Sequence, residues 1–468
     1  MKIALIHCPL RHRKFSENPK IVDEKFCLAP PLSLAYVAAI LERAGHRVIM
    51  VDANALGLSK ADTAGILDKF KPDILAFRMD AYQFHQTLEW IRYLKQKIAV
   101  PVIAGGINFL NYARESLSYK EIDYGIVGEA VESLPKLVLA IQNKEEISGI
   151  EGAAYRNEYG DIVINPAGRE NIGFDLYPFP ARHLLPNEKY YSFVSQAKNF
   201  TIMVTSKGCP YKCKFCAIAK LPYLERSPEN VVQEIEECYK KFNIREIDIF
   251  DAVFFLNKKR VFDICEKIIK RNIKIKWTCR SRVDLVDEEL LKLAASAGCR
   301  CIFYGIESAD QRILNAINKE INLRQVEQAI KLSKKHGIQT LGFFMLGNPG
   351  ETKDTIRRTV SFAKRLSLDF VQIGRTIAKP GSDLHAVLQK ETRRDFWREY
   401  ILGEQKEDYL PAPWTNLSVK EMNSYVKKAY RSFYFRPGYI AGRIFKIKSF
   451  GELARYLIAG VKFIFCNS

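Results

Sequence analysis

The stretch "SKGCPYKCKFCAIA", residues 206–219, carries Cys209, Cys213 and Cys216 in a C-x3-C-x2-C spacing. Three thiols on one short polar loop restrict what that loop can be. A structural zinc site closes a tetrahedron with four ligands, and the next cysteine, Cys238, lies well downstream in a predicted helix. A disulfide framework needs an even number of cysteines in a short secreted chain. Here eleven cysteines are diluted over 468 residues, a usage that fits a reducing compartment. Three thiolates suit an iron–sulfur cluster, a 4Fe–4S cube with one iron left open to a small molecule.

The flanking pattern places the loop. The strand "FTIMVTS" precedes it, and the helix "SPENVVQEIEECYKKF" follows, with Ser227 as N-cap and Pro228 at the first helical position. Strands "EIDIFD", "IKIKWTCR", "CRCIFYGIES", "IQTLGFFMLG" and "LDFVQIG" then alternate with helices. Eight strands close a full (β/α) barrel, and its active site lies at the carboxyl ends of the strands. Six predict a partial barrel over 199–390, open on one side for a large substrate, with the cysteine loop at its mouth.

Residues 1–144 show a second alternation: "KIALIHCP", "RVIMVDA", "ILAFRM", "PVIAGG" and "YGIVGEA" are strands separated by helical stretches. That pattern predicts a doubly wound parallel sheet of Rossmann type. Ligands bind such sheets at the carboxyl ends of the strands, here Arg78–Asp80, Gly105–Asn108 and Gly128–Glu129. Residues 145–198 read as a connector, a hairpin turning at Tyr159–Asp161 followed by a proline- and aromatic-rich run, expected to pack across the next domain. Residues 391–468 read as a helical C-terminal region. From 421 onward it holds nine Lys/Arg against two acids, the composition of a surface-seeking amphipathic segment or of a helical cap on the barrel.

Lys+Arg exceed Asp+Glu by 72 to 53, a net charge of +19. Such a balance favours anionic partners: nucleic acid, an acidic lipid surface or a phosphorylated substrate. No apolar run reaches the roughly 20 residues needed to span a bilayer, and "MKIALIHCPLRHRK" lacks a signal-peptide pattern. The expected location is the cytoplasm, at most peripheral at a membrane. No Walker loop, G-x-G-x-x-G fingerprint or zinc-protease helix is present.

The loop "GCPYKCKFC" resembles the signature of the radical S-adenosylmethionine (radical SAM) superfamily. The resemblance implies that Cys209, Cys213 and Cys216 hold the cluster and that its open iron binds SAM. One electron then cleaves SAM to a 5′-deoxyadenosyl radical that takes hydrogen from the substrate. Further positions match residue by residue. Phe215 precedes the last ligand, where relatives contact the adenine. Asp251, in "IDIFDAVF", stands where relatives carry an acidic motif beside the methionine part of SAM. Glu307 and Ser308 in "YGIES" match positions near SAM, and Gly305 allows close backbone approach. Gly347 in "MLGNPGET" falls near the adenine. Arg280 and Arg282 are candidates to pair with the SAM carboxylate.

The front domain is similar to the cobalamin-binding domain of one radical SAM subgroup, through "APPLSLAYVAAILERAGHRVIMVDA", "KPDILAF", "VIAGG" and "DYGIVGEAVESLPKL"; "FDLYPFPARHLL" and "AYRSFYFRP" also match, so the resemblance spans nearly the whole chain. It implies a cobalamin site at Gly105, Gly106, Gly128 and Glu129. Two departures stand out. There is no Asp-x-His-x-x-Gly motif, since Asp80 and His85 have the wrong spacing, so cobalt is expected without a histidine below it. Relatives' Gly-Gly-Pro-His and Gly-Glu-Gly-Glu are here "GGIN" and "GEAVE". The implied activity is methylation of an unactivated carbon in a lipid, tetrapyrrole, peptide or natural-product precursor, with electrons from a flavodoxin or ferredoxin. The alternatives are radical cyclisation or oxidation, an RNA-modifying methylthiotransferase, and a nucleic-acid- or membrane-binding protein with a structural cluster. A methylthiotransferase carries three further cysteines in its front domain, where this chain has only Cys8 and Cys27; nucleic acid is therefore not an expected partner.

Overall fold

The computed structural model describes residues 1–9, 13–168, 173–197, 199–219 and 221–444. The basic, aromatic stretch from 445 onward, including Cys466, lies outside the described residues. The chain forms two compact units: Met1–Lys14, Pro30–Tyr190 and Asp395–Asp408 in one; Phe15–Ala29, Tyr191–Arg394 and Tyr409–Ser468 in the other.

In the first unit, β1 (Lys2–His7), β2 (Arg47–Asp52), β3 (Ile74–Arg78), β4 (Val102–Gly105) and β5 (Tyr124–Ile126) lie parallel in the order β2-β1-β3-β4-β5. Helices cover both faces, so β1 is apolar on both sides and Ile3 to Ile6 are almost wholly buried. The helix Leu32–Arg43 ends where the alternation predicts, with Gly45 at φ +85° just beyond. In this strand order the crevice lies where the order reverses, beyond the carboxyl ends of β1 and β3.

The hairpin expected within a connector to the next domain instead extends this sheet. β6 (Ala153–Arg156) pairs antiparallel with β5, and β7 (Ile162–Ile164) with β6. The edge of β5 offers unpaired amides and carbonyls, and a hairpin of suitable length covers them.

The second unit is built on β8 (Phe200–Met203), β9 (Glu246–Ile249), β10 (Lys276–Ser281), β11 (Cys299–Glu307), β12 (Gln339–Leu346) and β13 (Phe370–Arg375). All five pairings are parallel and the spatial order is the chain order, giving the expected six-stranded open barrel. Side chains alternate across it. On β9, Ile247 and Ile249 join the core beneath the outer helices. Alternating with them, Glu246 and Asp248 make ion pairs on the other face. Glu246 accepts from Arg300 Nε (3.0 Å) and Nη2 (2.6 Å) and from the amides of Gln196 and Ala197. Asp248 accepts from Thr278 Oγ1 (2.8 Å) and from both terminal nitrogens of Arg280 (2.5 and 2.9 Å).

An open barrel leaves a bare strand at its end. The helix Val419–Tyr434 covers β13 with tyrosines: Tyr430 Oη accepts from Ile373 N (2.9 Å), and Tyr434 Oη accepts from Val371 N (3.0 Å) while donating to Val371 O (2.8 Å). Tyr439 Oη donates to Asp369 O (2.7 Å). A Tyr430→Phe, Tyr434→Phe double variant therefore strands two buried amides at about 1–3 kcal/mol each. A urea midpoint lowered at unchanged m-value is the expected result.

The C-terminal region, read as one block from 391, divides between the units. Helix Phe396–Leu402 buries Phe396, Trp397 and Ile401 and belongs to the first unit. There Asp395 accepts from Tyr112 Oη (3.1 Å), Arg398 pairs with Glu115 (2.8 Å), and Ile401 and Tyr400 carbonyls meet Tyr119 Oη (2.6 Å) and His85 Nε2 (2.5 Å). Segment 15–29, part of the expected front domain, goes the other way: Arg375 N donates to Glu17 O (2.8 Å) on the barrel edge, and Cys27–Leu28 pair with Tyr191–Ser192.

Candidate functional site

The cysteine loop stands on an anchored base. Thr205, directly after β8, donates its amide (2.6 Å) and its hydroxyl to the two carboxylate oxygens of Asp251. Its carbonyl accepts from Arg226 N (2.9 Å) and from the buried guanidinium of Arg260 (2.9 Å). Ser206–Lys207 pair antiparallel with Leu224–Glu225, closing the loop at its neck. Arg226 is itself buried, bonded to Glu234 and to Val204 O. Gly208 sits at φ +71°, and a Cβ there would lie 2.0 Å from Pro222 O. The neck admits glycine alone.

Above the neck, Cys209, Cys213 and Cys216 are free and half-buried. Asn318 Nδ2 donates to Lys212 O (3.0 Å), and Lys214 N donates to Ile317 O (3.0 Å), so the turn after helix Gln311–Ala316 braces the loop. That turn also delivers Lys319, whose Nζ lies 2.8 Å from Glu307 Oε1 and 5.9 Å from the Phe215 ring. Glu307 ends β11 at a bulge, with φ +67°. A bulky residue in the left-handed region is strained, and such strain gathers at functional positions. Gly305 is required beneath: a Cβ there would meet Lys319 Nζ at 2.6 Å and Glu307 Oε1 at 2.7 Å.

Arg282 is 4% exposed. It grips Asp284 through Nε and Nη2 (2.9 and 3.0 Å), reaches Glu320 O (3.0 Å), and lies 3.7 Å above the Tyr211 ring. Among the described residues its buried Nη1 has no acceptor. Burial raises the Cys209 thiol and pushes Cys213 up to about 11, while Lys319 and Arg282 pull both down. These cations favour thiolate, the form that binds metal.

The donor set fits an iron–sulfur cluster. Among the described residues no three His, Cys, Asp or Glu side chains close around a single ion. A cubane takes its thiolates one per iron, so its cysteines stand apart on a loop such as this. The orphaned Nη1 is a donor prepared for an anionic group, as a SAM carboxylate requires.

Other predicted residues are engaged differently. Asp251 spends its oxygens on Thr205. Ser308 is fully buried, its Oγ 3.3 Å from Thr359 Oγ1 and accepting from Asp310 N (3.2 Å). Arg280 is paired with Asp248 and covers Phe250 at 3.6 Å. Gly347 has φ +88°, and Met422 Sδ would lie 2.1 Å from a Cβ there. Its amide donates to Glu351 Oε2 (2.6 Å) and its carbonyl accepts from Trp414 Nε1 (2.8 Å). Lys319, Tyr211 and Thr205 were not legible as site residues; no local pattern marks them, because the fold alone brings them to the loop.

Glu351 also accepts from Asn348 N (3.0 Å), its other oxygen is buried without a partner among the described residues, and burial pushes its carboxyl up to about 7. With a folded pKa above the ordinary 4.5, its contribution is fully present below about pH 4.5 and is lost as pH rises through about 7. The loss amounts to about 3 kcal/mol. Glu351→Gln, which keeps the shape without the charge, should flatten the decline in urea-derived stability between pH 5 and pH 8.

In the first unit, Gly105, Gly106, Gly128 and Glu129 come together at the carboxyl ends of β4 and β5. Met79 N donates to Gly105 O (2.8 Å), and a Cβ on Gly106 (φ +112°) would lie 2.9 Å from Met79 O. Backbone thus packs on backbone. Gly106, Gly128 and Glu129 are exposed, as are the neighbouring Ile107 and Leu110. A glycine-lined, partly apolar rim beside the sheet's crevice fits a large flat cofactor. His7 closes β1 near Asp52 and Arg78, and burial lowers its pKa; His85 is engaged by Tyr400.

Residues 203–363 match the Radical SAM superfamily, and residues 27–138 match the B12 binding domain. An uncharacterized methyltransferase of Pyrococcus horikoshii is 33% identical over 436 residues, covering 90% of this chain and 91% of the relative. An anaerobic magnesium-protoporphyrin IX monomethyl ester cyclase of Rubrivivax gelatinosus is 29% identical over 92% of this chain and 78% of its own. Among solved structures, the cobalamin-dependent S-adenosylmethionine radical enzyme OxsB with aqua-cobalamin bound shares the fold at a TM-score of 0.73, with 17% identity, over 99% of this chain and 71% of that one. An open six-stranded barrel with three thiols at its mouth and a sheet of B12-binding type, matched nearly end to end by a relative at one-third identity, make this chain a member of the radical SAM superfamily, in the group that carries a B12-binding domain.

Proposed function

We propose that this enzyme holds its 4Fe–4S cluster on Cys209, Cys213 and Cys216 and transfers a methyl group to an unactivated carbon by way of cobalamin. The observation that carries the reading is the half-buried triad of free thiols on one loop, with the cations Lys319 and Arg282 acting on Cys209 and Cys213. Bound SAM and cluster supply a carbon radical, and cobalamin supplies a methyl group that polar transfer cannot deliver to such a carbon.

The chain's own residues do the rest. Lys319 and Arg282 offset part of the rise that burial imposes on the Cys209 and Cys213 thiols. The free Nη1 of Arg282 receives the SAM carboxylate, while Glu307, fixed by Lys319, faces the amino acid portion. Phe215 and the Gly347 turn flank the adenine. Asp251 and Ser308 act at one remove, fixing the loop's foot and the start of the helix after β11. Gly105, Gly106, Gly128 and Glu129 form the cobalamin rim. The substrate is a small organic molecule or lipid, the reductant is a flavodoxin or ferredoxin, and the enzyme works in the cytoplasm with peripheral membrane contact through its basic C-terminal region. Radical cyclisation is the second reading, favoured by the cyclase relative.

The test is anaerobic purification, reconstitution with iron and sulfide, and addition of hydroxocobalamin. Cobalamin absorption retained through gel filtration, with 5′-deoxyadenosine formed under dithionite, is expected. A cluster without retained cobalamin would reduce the front unit to a scaffold and remove methyl transfer.

A further inference from the structure

A cleft of about 460 Å³ opens at the end of the barrel opposite the cysteine loop. Its floor is Leu366–Asp369, the link that enters β13 at its amino end. The cysteine loop leaves β8 at its carboxyl end, and in a parallel barrel those are opposite faces. Among the described residues, five cations line the cleft, Lys334, Lys364, Arg365, Arg436 and Arg443, against one carboxylate, Asp369.

Cations in the last turn of a helix complement its dipole. That accounts for Lys334, Lys364 and Arg365, which end helices Leu323–Lys335 and Lys353–Arg365. It does not account for Arg436 and Arg443, brought to the same spot by the separate segment after the edge-covering helix. Arg443 lies 3.5 Å from Asp369, whose other oxygen accepts from Thr340 N, and Arg365 lies 3.9 Å from Glu327; even with Glu327 counted, the five cations outnumber the two carboxylates. Arg436 is held firmly: it donates to Phe433 O (2.9 Å) and to Lys364 O, and stacks 4.5 Å over the Phe433 ring. These bonds use Nε and Nη1 of the guanidinium. Gly438 and Gly442 line the same cleft, and among the described residues nothing lies within 4 Å of their Cβ positions. A ligand can therefore approach the helix backbone. Like charges gathered by independent elements repel unless a counter-charge joins them, and a fixed guanidinium fork beside lysines matches phosphate oxygens.

We propose that this cleft binds a phosphate-bearing anion, supplied either as the phosphate of an acidic lipid headgroup or as a free phosphorylated small molecule. The binding face leaves the reaction mouth unobstructed.

The test uses the full chain, with two probes: flotation with phosphatidylcholine vesicles with and without phosphatidylglycerol, and titration with inorganic pyrophosphate. The charge reversal K364E/R365E alters two side chains at the cleft's rim; K420E/K427E alters exposed lysines elsewhere as a control. The expected result is binding of at least one probe, weakened about tenfold or more by K364E/R365E and little by the control. Flotation with only the anionic vesicles assigns a lipid headgroup, and pyrophosphate binding without flotation assigns a free anion. Absence of both, or equal loss in the two variants, would overturn the proposal.

Discussion

Replacing Cys209, Cys213 and Cys216 together by alanine is expected to abolish the broad cluster absorption and all SAM cleavage while leaving the fold in place. The three side chains are half-buried, on a loop whose base is fixed by other residues. Asp251, Arg226, Arg260 and the Ser206–Glu225 ladder hold the neck without them, so circular dichroism and the urea midpoint of the unreconstituted protein should change little. Iron and sulfide analysis after anaerobic reconstitution is the measurement. Stoichiometric iron in the triple variant would mean that the cluster sits on other ligands, and the central assignment would fail.

The second large effect concerns Lys319. Its ammonium pairs with Glu307 at 2.8 Å, and both side chains are less than one-tenth exposed. Lys319→Met keeps the stem's volume but leaves a buried carboxylate uncompensated, a change that costs about 3–5 kcal/mol. The double variant Lys319→Met, Glu307→Gln removes both charges and should recover much of that loss. The functional readout differs from the structural one. If Glu307 faces the amino acid portion of SAM, the double variant regains stability yet binds SAM weakly, as followed by equilibrium dialysis. Recovery of SAM binding together with stability would make the pair purely structural.

Much of this architecture was legible in the sequence, for a physical reason. Parallel sheets covered on both faces need continuous apolar strands between amphipathic helices, and that pattern repeats along both halves of the chain. Capping residues such as Ser227 and the three close cysteines are likewise local signals. What stayed hidden depends on contacts across long separations. Lys319 meets Glu307 only because β11 bulges and the following turn doubles back. Asp251 and Ser308 were readable as polar residues at strand ends, but their hydrogen bonds go to Thr205 and Thr359, which no spacing rule connects to them. The exchange of segments, 15–29 to the barrel unit and 395–408 to the front unit, was hidden for the same reason. Short helices carry no label for the surface they cover.

The tyrosines along β13 bear on how such a barrel can stay open. A wide mouth comes at the cost of an unclosed sheet, and an unclosed sheet can grow by taking a strand from a neighbouring molecule. Here the last rung of the ladder is occupied by phenol groups, which satisfy the peptide groups but offer no further rung. Shortening the chain before residue 419 would remove Tyr430, Tyr434 and Tyr439 together. Self-association through strand addition, rather than simple unfolding, is the failure that such a truncation should show.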